Sequence, residues 1–387
     1  MARTTTLIDF EKLSHLKKMA EHKFGRTITT SKDCIDLTNA LLKINKSANL
    51  NSQTIRRLFG LVKNDFSPSI YTLDLLAQYV ANCYWADYNF KVQPENNTLA
   101  LADWILDYYA NEKFGFTQVV DLIVESEDLQ NMLLVKLAKL RSAHWMLFEH
   151  RPLRDNLNKK SYIKALEIYL DNKGTTEAEI FVYGMFFIRA LLSGNKNDIE
   201  KYCQIIEGLT LSKDVHNIPA GRKFGVPLIY YHLINDEINF NKTFNEALTI
   251  RDNYTSRMDY NGTNFDSTII EHLLLIERYE EIKIVWGLHL KSKEKYCTTP
   301  DSECYKQFNI LIKAYTFGQQ KFNRDIMRFD CNKMRVGERK YYNLFFLAYL
   351  IKFTKKSSQQ KLIKLNIQYK ELIEDTGYTY FKNLINN

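Results

Sequence analysis

Apolar residues in the first 90 positions recur at intervals of three and four, the spacing that places them on one side of a helix. Four such stripes follow one another: Leu7, Phe10, Leu13, Leu16 and Ala20; then Ile35, Leu37, Leu41, Leu42 and Ile44; then Ile55, Leu58, Phe59 and Val62; and finally Ile70, Leu73, Leu76, Ala77 and Val80. The pattern predicts a bundle of four short helices.

The residues between the stripes indicate where these helices begin and end. Gly25 lies just past the first stripe, where glycine commonly terminates a helix. Thr30 and Asp33 have the spacing of a capping box at the start of the second helix. Asn51 is a candidate N-cap for a third helix over Ser52–Lys63. Pro68 fits the start of the fourth helix, because a proline at that position loses no helical hydrogen bond.

The rest of the chain carries the helical period with few interruptions. The whole chain has only six prolines, which leaves long segments without a helix breaker. The segment 178–192 is apolar on nearly every side, and a similar density over Ile269–Leu290 follows Asp266, a candidate N-cap. No Asn-Gly or Asp-Gly turn joins two strand-like segments. The predicted fold class is therefore all-α.

Candidate helix starts recur in the second half of the chain, near residues 178, 221, 266, 303 and 338. Intervals of roughly 35–45 residues are typical of helix-pair arrays of the tetratricopeptide kind. The Trp-Leu-Gly-Tyr signature of that repeat is not recognisable, so a non-repetitive helical domain stays open. We expect a head over 1–92, connecting helices over 93–160 and a tetratricopeptide-like array over 161–387.

Positive charge is concentrated at the amino-terminal end. The chain has 53 Lys and Arg against 45 Asp and Glu, a net charge of +8. Residues 1–70 hold twelve of the basic and six of the acidic residues, so the other 317 residues share only +2. A basic head on a nearly neutral body is typical of a nucleic-acid-binding domain joined to a larger partner domain. A solvated basic face without a partner is the alternative.

The third predicted helix separates its apolar stripe from a polar face. Gln53, Arg57, Gly60 and Asn64 fall opposite that stripe, and Arg56 and Lys63 lie on its flank. Arginine can contact guanine through two hydrogen bonds, and glutamine or asparagine can pair in the same way with adenine. Gly60 has no side chain and would therefore permit close approach of this helix to a DNA backbone. A surface helix that only happens to carry two arginines is the alternative.

Helices two to four resemble the helix-turn-helix of phage repressors of the Cro/repressor kind. The resemblance is carried by Pro-Ser-x-x-Thr-Leu-x-x-x-Ala at 68–77 and by the arginine-bearing helix before it that ends in Phe-Gly. A variant of this pattern is similar to the amino-terminal region of bacterial proteins that continue into helical repeats, and Trp85 and Tyr88 stand where its aromatic pair belongs. The resemblance covers about the first 90 residues. It implies that the third helix lies in the DNA major groove with its amino-terminal residues nearest the bases.

The resemblance also implies a set of DNA-contacting residues: Ser52, Gln53, Arg56, Arg57, Gly60, Lys63 and Asn64. Thr29, Thr30 and Ser31 are further candidates for phosphate contacts through hydroxyl groups or helix-start amides. One departure concerns the turn Asn45–Asn51, which is longer than the three or four residues usual in this motif and contains no glycine.

The motifs of the common enzyme classes are missing from the sequence. It contains no phosphate-binding Gly-x-x-x-x-Gly-Lys loop, no Gly-x-Gly-x-x-Gly, no His-Glu-x-x-His and no Gly-x-Ser-x-Gly. His144 and His150, with Glu149, are six residues apart and point to different faces of a helix, so a shared metal is disfavoured. The six cysteines form no Cys-x-x-Cys pair. We expect no catalytic activity, no cofactor and no metal.

These features together favour a DNA-binding transcriptional regulator whose helical array senses a peptide or protein ligand or joins two copies of the chain. A homodimer is expected by analogy, since paired half-sites multiply affinity. The sequence shows neither an export signal nor an apolar segment of membrane-spanning length, so we expect a cytoplasmic protein. The alternative is a non-enzymatic interaction scaffold whose helix-turn-helix no longer binds DNA.

Overall fold

The structure, a computed structural model, is helical throughout its described part. Those residues are 10–44, 49–62, 68–81, 83–85, 88, 98–110, 117–149, 151–255, 264–296, 301–317, 324–354 and 359–385. Within these ranges no strand is found, and the prediction of an all-α fold is confirmed. The chain forms two compact units, a head (residues 1–95) and a body (residues 96–387).

The described residues of the head form four helices: α1 (Phe10–Phe24), α2 (Ser31–Ile44), α3 (Ser52–Leu58) and α4 (Ile70–Ala81). Helix α1 packs on α4, and α2 packs on both α3 and α4. All four contribute to one buried apolar cluster. Ile35 was expected in the apolar stripe of α2 but is 48% exposed, whereas Leu37 and Leu41 of the same stripe are buried.

Local capping places the helix ends of the head. Gly25 follows α1 with a positive φ of 84°. Thr30 and Asp33 form the predicted reciprocal cap of α2, with the Asp33 N–H on the Thr30 hydroxyl and the Thr30 N–H on the Asp33 carboxylate. The Asn51 side chain accepts the Gln53 N–H at 2.9 Å, as expected for the N-cap of α3.

Helix α3 is shorter than the predicted Ser52–Lys63. It has seven residues and ends at Leu58. The Gly60 N–H bonds to the Arg57 carbonyl and the Leu61 N–H to the Arg56 carbonyl, a pattern that closes a helix around a left-handed residue. Gly60 has the φ of 78° that this closure requires, and glycine adopts it without steric penalty.

The body begins with α5 (Thr98–Ala110), α6 (Thr117–Glu125), α7 (Glu127–Leu137) and α8 (Arg141–Ala143), which continues as a π-helical turn at His144–Glu149. The helices that follow are α9 (Lys160–Lys173), α10 (Thr176–Ser193), α11 (Lys196–Gly208), α12 (Asn217–Leu233), α13 (Glu237–Ile250), α14 (Asp252–Thr255), α15 (Phe265–Leu275), α16 (Tyr279–Tyr296), α17 (Glu303–Phe317), α18 (Arg339–Phe353) and α19 (Gln359–Thr376). Short 3-10 turns lie at Arg154–Asn156, Arg324–Arg328, Cys331–Lys333 and Thr379–Ile385.

Successive helices of the body pack in pairs. α10 packs on α11, α12 on α13, α15 on α16 and α18 on α19, while α10, α12 and α15 also pack on one another in that order. Helices α10, α12, α15, α17 and α18 begin close to the starts expected from the sequence. Helices α5 to α8, within the expected connecting segment 93–160, share one apolar core with the rest of the body. The identification as a tetratricopeptide-like array stays a prediction.

The segment Ile269–Leu290 is divided between two helices, α15 and α16. Asn264 caps α15, and Asp266, the expected cap, lies one residue inside the helix. Asp266 is fully buried and receives two hydrogen bonds from Arg251, at 2.7 and 2.6 Å. The chain reverses at Glu277, which has a φ of 57°, before α16 begins. Asp266, which the sequence pattern suggested as a helix cap, therefore forms a buried ion pair with Arg251 instead.

Candidate nucleic-acid interface

The exposed face of α3 carries two of the predicted DNA-contacting side chains. Gln53 and Arg57 are exposed and lie one helical turn apart, so they share a face. Ile55 and Leu58 are buried against the other helices of the head, at 0% and 8% exposure. The division of this helix into an apolar and a polar side is present in the structure as the sequence predicted.

Ser52 and Arg56 occupy the flank of the same helix and are half-buried. Within the described residues, the Arg56 Nε atom is buried and has no hydrogen-bond partner. Burial raises the pKa of the Cys34 thiol on α2, and the positive charge of Arg56 opposes that rise. Arg56 therefore lies close to α2 and presents less of its guanidinium to solvent than Arg57 does.

The last three predicted site residues are at or beyond the end of α3. Gly60 is exposed, and an added Cβ atom there would meet no atom within 4 Å. In the structure, Gly60 terminates helix α3. Lys63 and Asn64 lie outside the described residues.

The amino-terminal end of α2, where Thr29, Thr30 and Ser31 were candidates for phosphate contacts, already holds a carboxylate. Asp33 accepts hydrogen bonds from the Thr30 hydroxyl at 2.6 Å and from the N–H groups of Thr30 and Thr29 at 2.8 and 3.3 Å. The Thr30 hydroxyl contributes most to a lowered pKa of Asp33, which keeps the carboxylate ionised. A phosphate at this position would meet a like charge.

One basic residue of the head is also neutralised here. Arg26 forms ion pairs with Asp33 at 2.9 Å and with Asp36 at 2.7 Å. Part of the positive charge that the sequence places at this end is therefore neutralised by acidic residues of the head itself. Lys32 and Lys43 on α2 and Arg57 on α3 are exposed basic residues of the described part.

The aromatic pair after α4 links that helix to α1. The rings of Trp85 and Tyr88 stack with centroids 6.2 Å apart. The Trp85 N–H bonds to Asp74 on α4, and its carbonyl accepts the Lys12 ammonium of α1. The Tyr88 hydroxyl lies 2.9 Å from His15 Nδ1. The pair therefore holds the bundle that presents α3.

In the described part of the chain, no three His, Cys, Asp or Glu residues are placed together to hold a metal ion. His144 is buried, with its Nε2 atom 2.8 Å from the Ala138 carbonyl. Glu149 accepts the Tyr169 hydroxyl at 2.8 Å and pairs with Lys173. His150 lies outside the described residues.

Sequence reasoning missed a charged cluster inside the body. Arg154 pairs with Glu271 of α15 and with Glu338 at the start of α18, and Arg222 of α12 lies beside them. Partners 117 and 184 positions apart leave no motif in the sequence. The signal that was present is a charged residue directly after two apolar ones in a predicted helix, as Glu271 is after Ile269 and Ile270 in α15.

Comparisons with known proteins found no match from which a function could be argued. No protein-family model matches the chain, and no curated protein or solved structure matches it. Among the described helices, none combines the length and the apolar character that crossing a bilayer requires.

Proposed function

We propose that this protein is a DNA-binding transcriptional regulator whose head contacts duplex DNA through the exposed face of α3. The observation that carries the proposal is the pairing of Gln53 and Arg57 on one exposed face, with Ile55 and Leu58 buried behind them. A buried apolar side fixes the orientation of the helix, so the polar side chains are presented outward in a defined direction.

The two side chains have the chemistry that base recognition uses. Arg57 pairs with guanine O6 and N7, and Gln53 pairs with adenine N6 and N7, each contact contributing about 1–3 kcal/mol of discrimination. We expect Ser52 and Arg56, on the half-buried flank, to contact the DNA sugar-phosphate backbone and so to set the register of the helix on the duplex. Lys63 and Asn64, which follow α3 in the sequence, complete the proposed contact set.

The body has a separate part in this proposal. Its helical array senses a peptide or protein ligand, or it joins two copies of the chain. A homodimer doubles the number of recognition helices, and operator half-sites then lie about one helical turn of DNA apart.

A second function, an interaction scaffold without DNA affinity, is favoured by the size of α3. The helix has only seven residues, and Arg56 is half-buried, so few positive charges face outward from it. A seven-residue segment, 45–51, separates α2 from α3, which is longer than usual in DNA-binding helix pairs. The scaffold predicts retention of a protein partner and no duplex affinity at physiological salt.

Titration of the full chain with a random-sequence duplex at increasing salt separates the two functions. The regulator is expected to bind with an affinity that falls steeply with salt, and Arg57→Ala should weaken binding and lower the salt slope by about one. Arg328→Ala is the matched control, because Arg328 is an exposed arginine of the body. Wild-type protein that does not bind duplex at low salt, or Arg57→Ala that binds like Arg328→Ala, contradicts the proposal.

A further inference from the structure

The body contains a cleft between α12, α15, α17 and the start of α18. The space within its walls is about 630 Å³ when the part open to solvent is counted, and about 50 Å³ of it can hold the centre of a water-sized sphere. Ile218, Phe308, Met334 and Tyr342 form its apolar lining, and Arg154, Arg222, Glu271 and Glu338 are among its charged residues. A cleft with apolar walls and a few charged groups is the usual form of a small-molecule site.

The charges in the cleft are unequally matched. Arg154 pairs with Glu271 at 2.8 Å and also with Glu338, so its guanidinium has two carboxylate partners. Within the described residues Arg222 has no ion pair, and its Nε atom is buried without a hydrogen-bond partner. The one hydrogen bond that it makes to the described residues, from Nη1 to the Phe181 carbonyl, is long at 3.5 Å.

Arg222 is held in position by packing against α10 and not by an ion pair with the described residues. The side chain is 2% exposed and lies against Gly184 of α10, where an added Cβ atom would come within 2.1 Å of the Arg222 Cδ atom. The guanidinium stands 5.2 Å from the centre of the Phe181 ring. Gly184 therefore makes the slot that accommodates the arginine.

The guanidinium of Arg222 is a charged group in a buried position, which is energetically unfavourable. Burial lowers the pKa of Arg222 to about 10, and the neighbouring Arg154 adds to the decrease, while Glu271 opposes it. The side chain is still protonated at neutral pH. A buried cation without a hydrogen-bonded anion is costly, and a ligand that supplies the anion relieves that cost.

We propose that the cleft binds a small organic carboxylate, with its carboxylate on the guanidinium of Arg222 and its apolar part against Phe308 and Met334. A single unmatched guanidinium suits one negative charge. Glu271 and Glu338 stand in the same cleft and disfavour ligands of higher negative charge. The proposal concerns the body alone and does not depend on whether the head binds DNA.

Calorimetric titration of the full chain with hexanoate tests the charge requirement. Hexanamide is the matched neutral probe, because it has the same apolar chain, and inorganic phosphate tests for general anion binding. We expect saturable binding of hexanoate, with hexanamide and phosphate at least tenfold weaker. Equal binding of hexanoate and hexanamide, or no saturable binding of hexanoate at millimolar concentration, overturns the proposal.

Two variants of Arg222 test the residue itself. Arg222→Met preserves an unbranched side chain in the slot beside Gly184 and should weaken hexanoate binding by about 10- to 100-fold. Arg222→Lys keeps the positive charge, and we expect an intermediate affinity, which covers the case in which the methionine variant does not fold. Arg328→Met is the surface control and should bind as wild type does. Wild-type affinity for hexanoate in Arg222→Met or, if that protein does not fold, in Arg222→Lys overturns the assignment.

Discussion

The carboxylate of Asp155 accepts a hydrogen bond from the backbone N–H of Tyr341 at 2.8 Å, across 186 positions of the chain. It also accepts the Lys340 N–H at 3.0 Å. These amides belong to the first turn of α18, whose own N-cap residue, Glu338, provides no side-chain cap. A residue that precedes α9 therefore caps a helix near the end of the chain.

Removal of this distant cap should destabilise the body. Asp155→Ala leaves two helix-start amides without their acceptor, and we expect the free energy of unfolding to fall by about 1–2 kcal/mol. Asp155→Asn retains an acceptor oxygen and should lose less. Chemical unfolding followed by circular dichroism measures the change, and equal stability of Asp155→Ala and wild type would show that the cap is not needed.

Close packing of α12 on α15 should make Gly221 intolerant of a side chain. A Cβ atom there would stand 2.7 Å from the Phe265 carbonyl oxygen, a backbone atom that cannot rotate away. We expect Gly221→Ala to lower the free energy of unfolding by about 1–3 kcal/mol.

Gly287→Ala provides the matched control, because Gly287 lies in α16 and an added Cβ atom would meet nothing within 4 Å. This change should raise stability by about 0.5–1 kcal/mol, since alanine favours the helix. Thermal unfolding of both variants makes the comparison. A Gly221→Ala protein as stable as Gly287→Ala would contradict the close approach of the two helices.

The stability of the head should decrease in mild acid. Burial lowers the pKa of His15 to about 4 from its ordinary 6.5, and the charge of Lys18 adds to the shift. Between these values the unfolded chain binds a proton that the folded head does not, so stability falls as the pH decreases from 6.5 to 4. The loss from this residue approaches about 3 kcal/mol.

His15→Gln removes the titrating group and keeps a side chain able to bond to the Tyr88 hydroxyl. Its unfolding free energy should depend less on pH over the same interval than that of wild type. His272, which burial also shifts to a pKa of about 4, is present in both proteins and supplies the common background. Chemical unfolding at several pH values measures both slopes, and parallel slopes would show that His15 does not contribute.

Arg57→Lys should separate charge from base recognition. Lysine keeps the positive charge but lacks the planar pair of donors that contacts guanine O6 and N7. We expect binding to random duplex and its salt slope to stay near wild type, while preference for a duplex selected by the wild-type protein falls by about 1–3 kcal/mol. Competition between selected and random duplexes measures this preference, and an unchanged preference would place Arg57 on phosphate instead.

Much of the head is predictable because its helix ends depend on near neighbours. The capping bonds of Thr30 with Asp33 and of Asn51 with Gln53 span two or three positions, so the sequence alone reveals them. The end of α3 was predicted wrongly, because glycine at position 60 can serve either close approach or helix termination. The left-handed φ of Gly60 decides for termination.

The amino-acid sequence by itself determined the all-α class, the starts of the paired helices and the two-sided character of α3. Each of these depends on the spacing of apolar residues and on local helix caps. Tertiary structure alone decided the long-range contacts of charged residues, Asp155 with α18 and Arg154 with Glu271. Within the described residues it also left the Arg222 Nε atom without a hydrogen-bond partner. Such pairings depend on distances between helices far apart in the chain, and no spacing along the sequence encodes those distances.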